Sequence, residues 1–525
     1  MRGLAASAVL LALSASALST AACDNGEAPD RGPAEVDPTT ITVLTPGDEA
    51  VLGPAWDDEP KFLVFLPFAQ LDENGDPVGR LARRWEHSED YRTWTYHLRT
   101  DVRWHDGVPV TAHDVKFTID LLNHPAAEYY PPGAVTAIVV NDSTVALSYE
   151  EVPATEPSLD LRWTVFYPKH LLSKLDPAAF KQWEFWKQPV GNGPYRYVRH
   201  VPQTMMELEA NSDYYAGVPR IGRVVLKFGV PGNSANIAEL LSGNVDAVPY
   251  VNRFDLLALD DDSRFRNYYQ INQILVRAIF WNQGHPILGN ATVRRALTLA
   301  IDRREMLQVL NMPEDIPIAD GPYSSRQLRR GELVEALSFD AAGARRLLDE
   351  AGWRDEDGDG VRERDGRALR FEAILSPLPG WEEMAVYIQD RLRRVGVQME
   401  VLLLEGQAAR SRVLRGEVDA VFALFENSTV FLERVFSEGS TRSYRNAELD
   451  RLIDLLKEAI DPDSRDRIYS EMTEIFQRDV PVTFLVPRVN TVVAHQRVRG
   501  LSSPYRAFPC RHMDELWIED DGGGG

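Results

Sequence analysis

Cysteine is almost missing from this chain: 525 residues hold two, Cys23 and Cys510. That is too few for the dense cross-linking small secreted domains rely on, so no disulfide framework is expected. Positive charge is short as well, with 57 Lys and Arg against 79 Asp and Glu, a net charge of −22. A nucleic-acid binder needs a basic face to displace counterions, so that class is excluded as a partner. Acidity otherwise bears on solubility. Lysine is scarce beside arginine, which hints at a GC-rich genome and says nothing about mechanism. Catalytic signatures are missing too: there is no G-x-x-x-x-G-K, H-E-x-x-H, G-x-S-x-G, S-x-x-K or C-x-x-C. A constellation dispersed along the chain would escape such a search, but the expectation is a protein that is not an enzyme. Long apolar runs are absent beyond the amino terminus, so no other segment is expected to span a bilayer.

What is present is an ordinary globular composition, 44% hydrophobic and 26% charged. The length exceeds what one core supports, so two or more domains are expected. The stretch MRGLAASAVLLALSASALSTAAC carries Arg2, an apolar run from Leu4 to Leu18 and then small residues up to Cys23. This is the layout of a secretory signal over residues 1–22. TAAC resembles a bacterial lipobox, with Thr20 where Leu is usual, and predicts lipidation at Cys23; the lipid would be the partner of that thiol, leaving Cys510 alone. Residues 23–40, rich in Pro, Gly and Asp, read as a disordered tether.

Along the rest of the chain, strands and helices alternate. In TWTYHL, Trp94, Tyr96 and Leu98 alternate with polar residues, as a half-buried strand requires. His105-Asp106-Gly107 is a turn, Thr111 an N-cap, and Val115, Ile119 and Leu122 recur at helical spacing. A hairpin is expected at Asn141-Asp142. Asp340 caps a helix that Gly352 stops. One junction is written twice: LSGNVDAVPY (Leu241–Tyr250) and LRGEVDAVFA (Leu414–Ala423) each read as a helix end, a glycine stop and a buried strand. A single repetition in different surroundings implies two similar α/β lobes rather than a solenoid.

Candidate chemistry is sparse. In DEDGDGVRERDG (Asp355–Gly366), alternate aspartates and Gly360 match the first half of a calcium loop, but Gly366 stands where a bidentate Glu belongs and a strand follows. The favoured reading is an exposed helix-to-strand turn, and no metal is expected. His105 and His113 lack a third partner and read as satisfied or solvated. Asp246 and Asp419 occupy the same place in both repeated junctions; a catalytic pair is conceivable, but the matched context favours a structural role. Trp281, Phe425 and Phe431 could stack on a ligand, though aromatics at such positions are more often core.

Taken in order, LARRWEHSEDYRTWTYHLRTDVRWHDGVPVTAHDVKFTI, GNGPYRYV, SDYYAGVPRI, LLSGNVDAV, FWNQ, VRRALTLAIDRREM, ARRLLDEAGW, LRGEVDAVF and YRNAELDRLI resemble the extracellular solute-binding proteins of the peptide/nickel class, family 5, from about Ile41 to Leu501. The resemblance implies a periplasmic-binding-protein-like fold of class II: two α/β lobes joined by two crossing strands, with an extra α+β domain inserted in the first lobe. It maps lobe I to 41–70, 190–285 and 484–520, the extra domain to 71–189, lobe II to 286–483, and leaves a Gly-rich tail at 521–525. It implies a monomeric receptor that closes by a hinge over a solute, most simply an oligopeptide, and delivers it to an ABC permease without cofactor, lipid-anchored outside the cytoplasm. It implies cleft residues at Leu52, Asn192, Trp281, Asn282, Phe425, Glu426 and Phe431. Peptide-binding members typically pair an Asp after the second junction with the ligand's ammonium, and here Leu424 takes that place. Glu426 or Asp419 is then left to substitute; otherwise the ligand is a modified peptide, a sugar or a metal chelate. A secreted hydrolase is the alternative from another class.

Overall fold

β1 (Thr40–Pro46) opens the computed structural model of the chain. The structure describes residues 39–519 apart from 47–59, 73–75, 126–134, 151, 154–156, 158–160, 162–163, 230–233, 260, 377–379, 437–443 and 460. Leu52, Cys23, the leader 1–22, most of the tether and the tail 521–525 lie outside the described residues.

The hairpin-rich segment after β1 forms an antiparallel sheet of β2 (Ala82–His87), β3 (Thr93–Leu98), β4 (Val135–Asn141) and β5 (Thr144–Tyr149), in the order β2-β3-β5-β4. In β3 the alternation is realised, with Trp94, Tyr96 and Leu98 buried. The helix Ala112–Leu122 begins at Thr111, where the Asp114 carboxylate accepts from the Thr111 backbone N–H at 2.8 Å. The buried side chains of this segment, among them Phe68, Tyr96, Trp104 and Phe166, run continuously into Ile41, Val43 and Leu226.

The main sheet is built from β6 (Tyr195–Val201), β7 (Met205–Ala210), β8 (Arg223–Gly229), β9 (Ala247–Pro249), β10 (Phe265–Trp281), β11 (Arg370–Leu375), β12 (Gln398–Leu403), β13 (Ala420–Glu426) and β14 (Val482–His495). Together with β1 they make one ten-stranded sheet, ordered β12-β11-β13-β10-β14-β9-β1-β8-β7-β6. The eight strands from β12 to β8 read the same from either side, and β7 and β6 extend the lobe I edge. β1 pairs in parallel with β8 and β9, as β11 does with β12 and β13. β9 then meets β14, and β13 meets β10, each antiparallel. The repeated sequence therefore marks equivalent elements of two lobes.

The two junctions match bond for bond. After the helices Ala235–Leu241 and Gly406–Leu414, Gly243 and Gly416 take φ of 74° and 70°, the left-handed region where a side chain is strained. Each helix ends in a Schellman turn: Asn244 donates to Glu239 O at 2.9 Å, and Glu417 to Arg412 O at 3.0 Å. The next aspartate caps the neighbouring parallel strand. Asp246 accepts from Thr42 N at 2.8 Å, and Asp419 from Glu372 N at 2.9 Å. The carboxylates of the conceivable catalytic pair thus each satisfy a backbone donor, one in each lobe.

β10 and β14 connect the lobes. At 17 residues, β10 extends roughly 55 Å. Its first half pairs with β14 from Phe265↔His495 to Ile271↔Val489, and its second half resumes at Val276↔Pro487. Between these, residues 272–275 face Arg488 alone, a large bulge that interrupts the ladder where the chain passes from one lobe to the other. Lobe II has its own core, in which Leu297, Met384, Phe425, Leu452 and Phe484 are buried.

Candidate functional site

Beside that interruption lies a cavity of about 200 Å³ with walls from both lobes. Lobe I contributes Tyr250, Val251, Asn252 and Leu256, which follow β9. Lobe II contributes Leu310, Asn311 and Met312 after the helix Arg303–Val309, then Gly380, Trp381 and Glu383 at the start of the helix Trp381–Arg393, and Leu424 of β13. The connecting strands supply Arg277, Arg488, Val489, Asn490 and Thr491. Val251 and Leu424 stand at the same position, one residue past the repeated stretch, so both lobes present residues beyond the point where that strand pairs in parallel with its neighbour, Ala247 in one and Val421 in the other. That is where open α/β sheets place ligands, beyond the carboxyl ends of parallel strands.

The lobe I wall is tied to β14 by the Tyr250 backbone, which donates to Thr491 O at 2.7 Å, and by the Thr491 hydroxyl, which donates to Val251 O at 2.6 Å. Asn252 starts the next helix, its Oδ1 accepting from Asp255 N at 3.0 Å. Arg277 is 9% exposed and sits opposite Leu424 in the ladder. Its guanidinium carbon lies 5.7 Å from the Trp381 ring centre. Burial and then the nearby Arg488 push its pKa down to about 10, with Glu383 acting in the other direction. The cavity therefore combines apolar walls, amide and hydroxyl groups, and a cationic end, a composition that can hold and orient a small polar molecule.

None of the described residues put forward from the resemblance is in this lining. Trp281 is buried and donates its ring N–H to Thr483 Oγ1 at 3.0 Å. Asn282 donates to Val418 O at 2.8 Å, and Asn192 accepts from Leu66 N at 2.9 Å. Phe425 is fully buried, with ring centres of Phe484 at 4.8 Å and Phe431 at 5.2 Å, and Phe431 is buried with it. Glu426 accepts from the Ser428 hydroxyl at 2.6 Å. Leu424, the position aligned with an anchoring Asp, does line the cavity.

Arg277, Arg488 and Trp381 were not among the sequence candidates. The first two carry a signal nonetheless, since each is a single charge within an apolar strand, ILVRAIFW and FLVPRVNTVV. The carboxylates of Asp355, Asp357, Asp359 and Glu363 converge to within 4.8 Å of one another. The aspartates are engaged by their own turn: Asp355 accepts from Gly358 N and Gly360 N, and Asp359 from Val361 N. His105 and His113 do not join them: His105 bonds the backbone of residues 191 and 193, and His113 lies 3.5 Å from Asp142. Among the described residues no helix is long and apolar enough to cross a membrane.

Comparison with known proteins follows the same lines. The profile of the bacterial extracellular solute-binding proteins, family 5, matches residues 76–431. The oligopeptide-binding protein AppA of Bacillus subtilis is 26% identical over 510 residues, covering 92% of this chain and 90% of the relative. The solved structure of AppA from Bacillus subtilis in complex with a nonapeptide superposes with a TM-score of 0.66 at 22% identity, covering 92% of this chain and 99% of the other. NikA from Brucella suis, solved in complex with Fe(III)-EDTA, superposes with a TM-score of 0.75 at 20% identity, covering 91% and 100%. These likenesses extend through both lobes.

Proposed function

From the premise that this chain belongs to the bacterial extracellular solute-binding proteins, family 5, we propose that it is the receptor of an ABC importer and captures an oligopeptide between its lobes. The observation that carries this reading is the cavity itself, bounded by the equivalent residue of each lobe, Val251 and Leu424, and by both connecting strands. Side chains from two bodies that meet over one cavity bind best when the bodies close, and closure hands a buried ligand to the next partner. The peptide assignment is supported by the relative named for binding oligopeptides over nearly its whole length. The amides of Asn311 and Asn490 suit a peptide backbone, and Trp381, Leu310 and Leu256 suit apolar side chains. In this reading the protein works as a monomer, is tethered outside the cytoplasm through a lipid on Cys23, and docks on a membrane permease.

The test is thermal unfolding of the purified receptor against a pooled peptide library. A ligand that binds only the folded form raises the melting temperature with concentration, and at about a hundredfold excess over Kd the gain is about 2.7 kcal/mol, several degrees. No shift with any peptide, beside a shift with a metal chelate or a sugar, would replace the peptide in this proposal. A mature chain whose mass starts at Cys23 plus acyl groups would support the anchor; an unmodified start elsewhere would remove it.

A further inference from the structure

The charge in the cavity is unbalanced. Two guanidiniums line it, Arg277 and Arg488, against a single lining carboxylate, Glu383. Arg277 issues from β10 at the point where that strand lies between Leu424 of β13 and Val486 of β14. Arg488 issues from β14 opposite the bulge, half-buried, and among the described residues it has no hydrogen-bond or ion-pair partner. The two cations are near enough that Arg488 makes the charge on Arg277 harder to hold. A folded protein gains nothing by placing like charges together in a partly desolvated cleft, whereas an incoming anion relieves both at once.

We propose that Arg277 and Arg488 together are the anchor for a ligand carboxylate, so that the receptor reads the acid end of its solute and not an ammonium. A net fixed charge of one positive unit in the lining matches a monoanion, and the planar guanidinium fork matches the two oxygens of a carboxylate. Leu424, opposite Arg277, supplies no charge for an ammonium. The lining also includes Gly380, which has no side chain to cap the first turn of the helix Trp381–Arg393; a Cβ at that position would stand 3.7 Å from the Arg277 guanidinium. The N-terminus of that helix, which has no side-chain cap, adds to the positive field.

This inference rests on the peptide reading, and one experiment separates the two. A tetrapeptide library without Asp or Glu is made in four forms: free at both ends, N-acetylated, C-amidated and doubly blocked. Each is titrated by calorimetry into the receptor. Amidation is expected to weaken binding on the order of tenfold or more, while acetylation changes it by no more than about threefold. A second library with an internal Glu and an amidated end tells a side-chain carboxylate from the terminal one. Arg488→Gln, which removes a like charge from beside Arg277, should lose most of the difference between acid and amide while its melting temperature without ligand does not fall. Arg277→Lys should lose the same difference in part. Binding that ignores amidation and disappears on acetylation would overturn the anchor and leave the receptor standing. Binding by none of the libraries would overturn both.

Discussion

His105 fastens two segments together as a neutral ring. Its Nδ1 accepts from Gly191 N at 3.2 Å while its Nε2–H donates to Gly193 O at 3.1 Å, a pair of bonds that only one tautomer can make. Protonating the ring would turn the acceptor into a donor facing an N–H. Burial pushes its pKa down to about 4, the bond to Gly193 working against it and the charge of Arg196 with it. An unfolded chain takes up that proton near the ordinary histidine value of about 6.5. The folded state refuses it until about pH 4, so this residue costs stability as pH falls through that window and no further below it. The ring is part exposed, which discounts the effect to on the order of 1–2 kcal/mol. Buried His512, also pushed down by desolvation and neighbouring arginines, acts in the same direction and sets a common background. Urea unfolding at pH 7.5 and 4.5 should therefore show His105→Gln losing about 1–2 kcal/mol less than the parent on acidification. Equal losses would mean that the ring is already free to titrate.

At the scale of elements, the two junctions differ in what backs their aspartates. Asp246 is 9% exposed in its side chain and, besides Thr42 N, holds both Nε and Nη2 of Arg497 at 2.8 and 2.6 Å. Asp419 is 31% exposed and, among the described residues, has no arginine or lysine partner, only the His285 ring at 3.7 Å. Removing one partner of a buried pair strands the other, whereas removing an exposed acceptor frees one N–H. Asp246→Ala is expected to destabilise by about 3 kcal/mol and Asp419→Ala by about 1 kcal/mol, read from urea midpoints. Matching losses would show that Arg497 finds water instead. The junctions themselves were legible in the sequence because a helix end, a left-handed glycine and a buried strand are local signals, and repetition made them unmistakable. The cavity was less legible. Arg277 and Arg488 become neighbours only through the register of β10 on β14, which brings together residues distant in the chain. Within β13 the two faces alternate, so Phe425 turns into the core and Leu424 to the cavity, and an aromatic ring reads equally well as platform or as core. The better guide would have been the repeat itself, since the position holding Val251 in one lobe holds Leu424 in the other.

At the scale of the whole receptor the question is what holds the lobes together over a ligand. The pairing of β10 with β14 skips one residue, Leu485, between the Arg277 and Ala278 pairs and is lost over residues 272–275, so bending concentrates at the larger bulge, where the fewest ladder bonds resist it. Two of the N–H groups freed there are satisfied within the bulge, Asn272 Oδ1 accepting from Ile274 N and Leu275 N, both at 2.9 Å, bonds that can move with it. Away from the strands, Arg329 of the helix Ser325–Arg330 in lobe II reaches Asp76, just ahead of the four-stranded sheet, at 3.4 Å. Asp76 is 65% exposed, which limits such a pair to about 0–1 kcal/mol and lets salt screen it. It can bias the open and closed forms by no more than about fivefold, whereas a ligand that fills the cavity and neutralises its arginines contributes its whole difference in affinity for the two forms. Ligand, not latch, should therefore drive closure. With fluorophores on the two lobes, Arg329→Gln should close on adding the peptide library to the same distance as the parent, with affinity reduced no more than about fivefold, and the difference should shrink in 0.5 M salt as screening weakens the parent's pair. If the variant bound peptide without closing, the ion pair would be the closing force, and the ligand would be a passenger in the cleft.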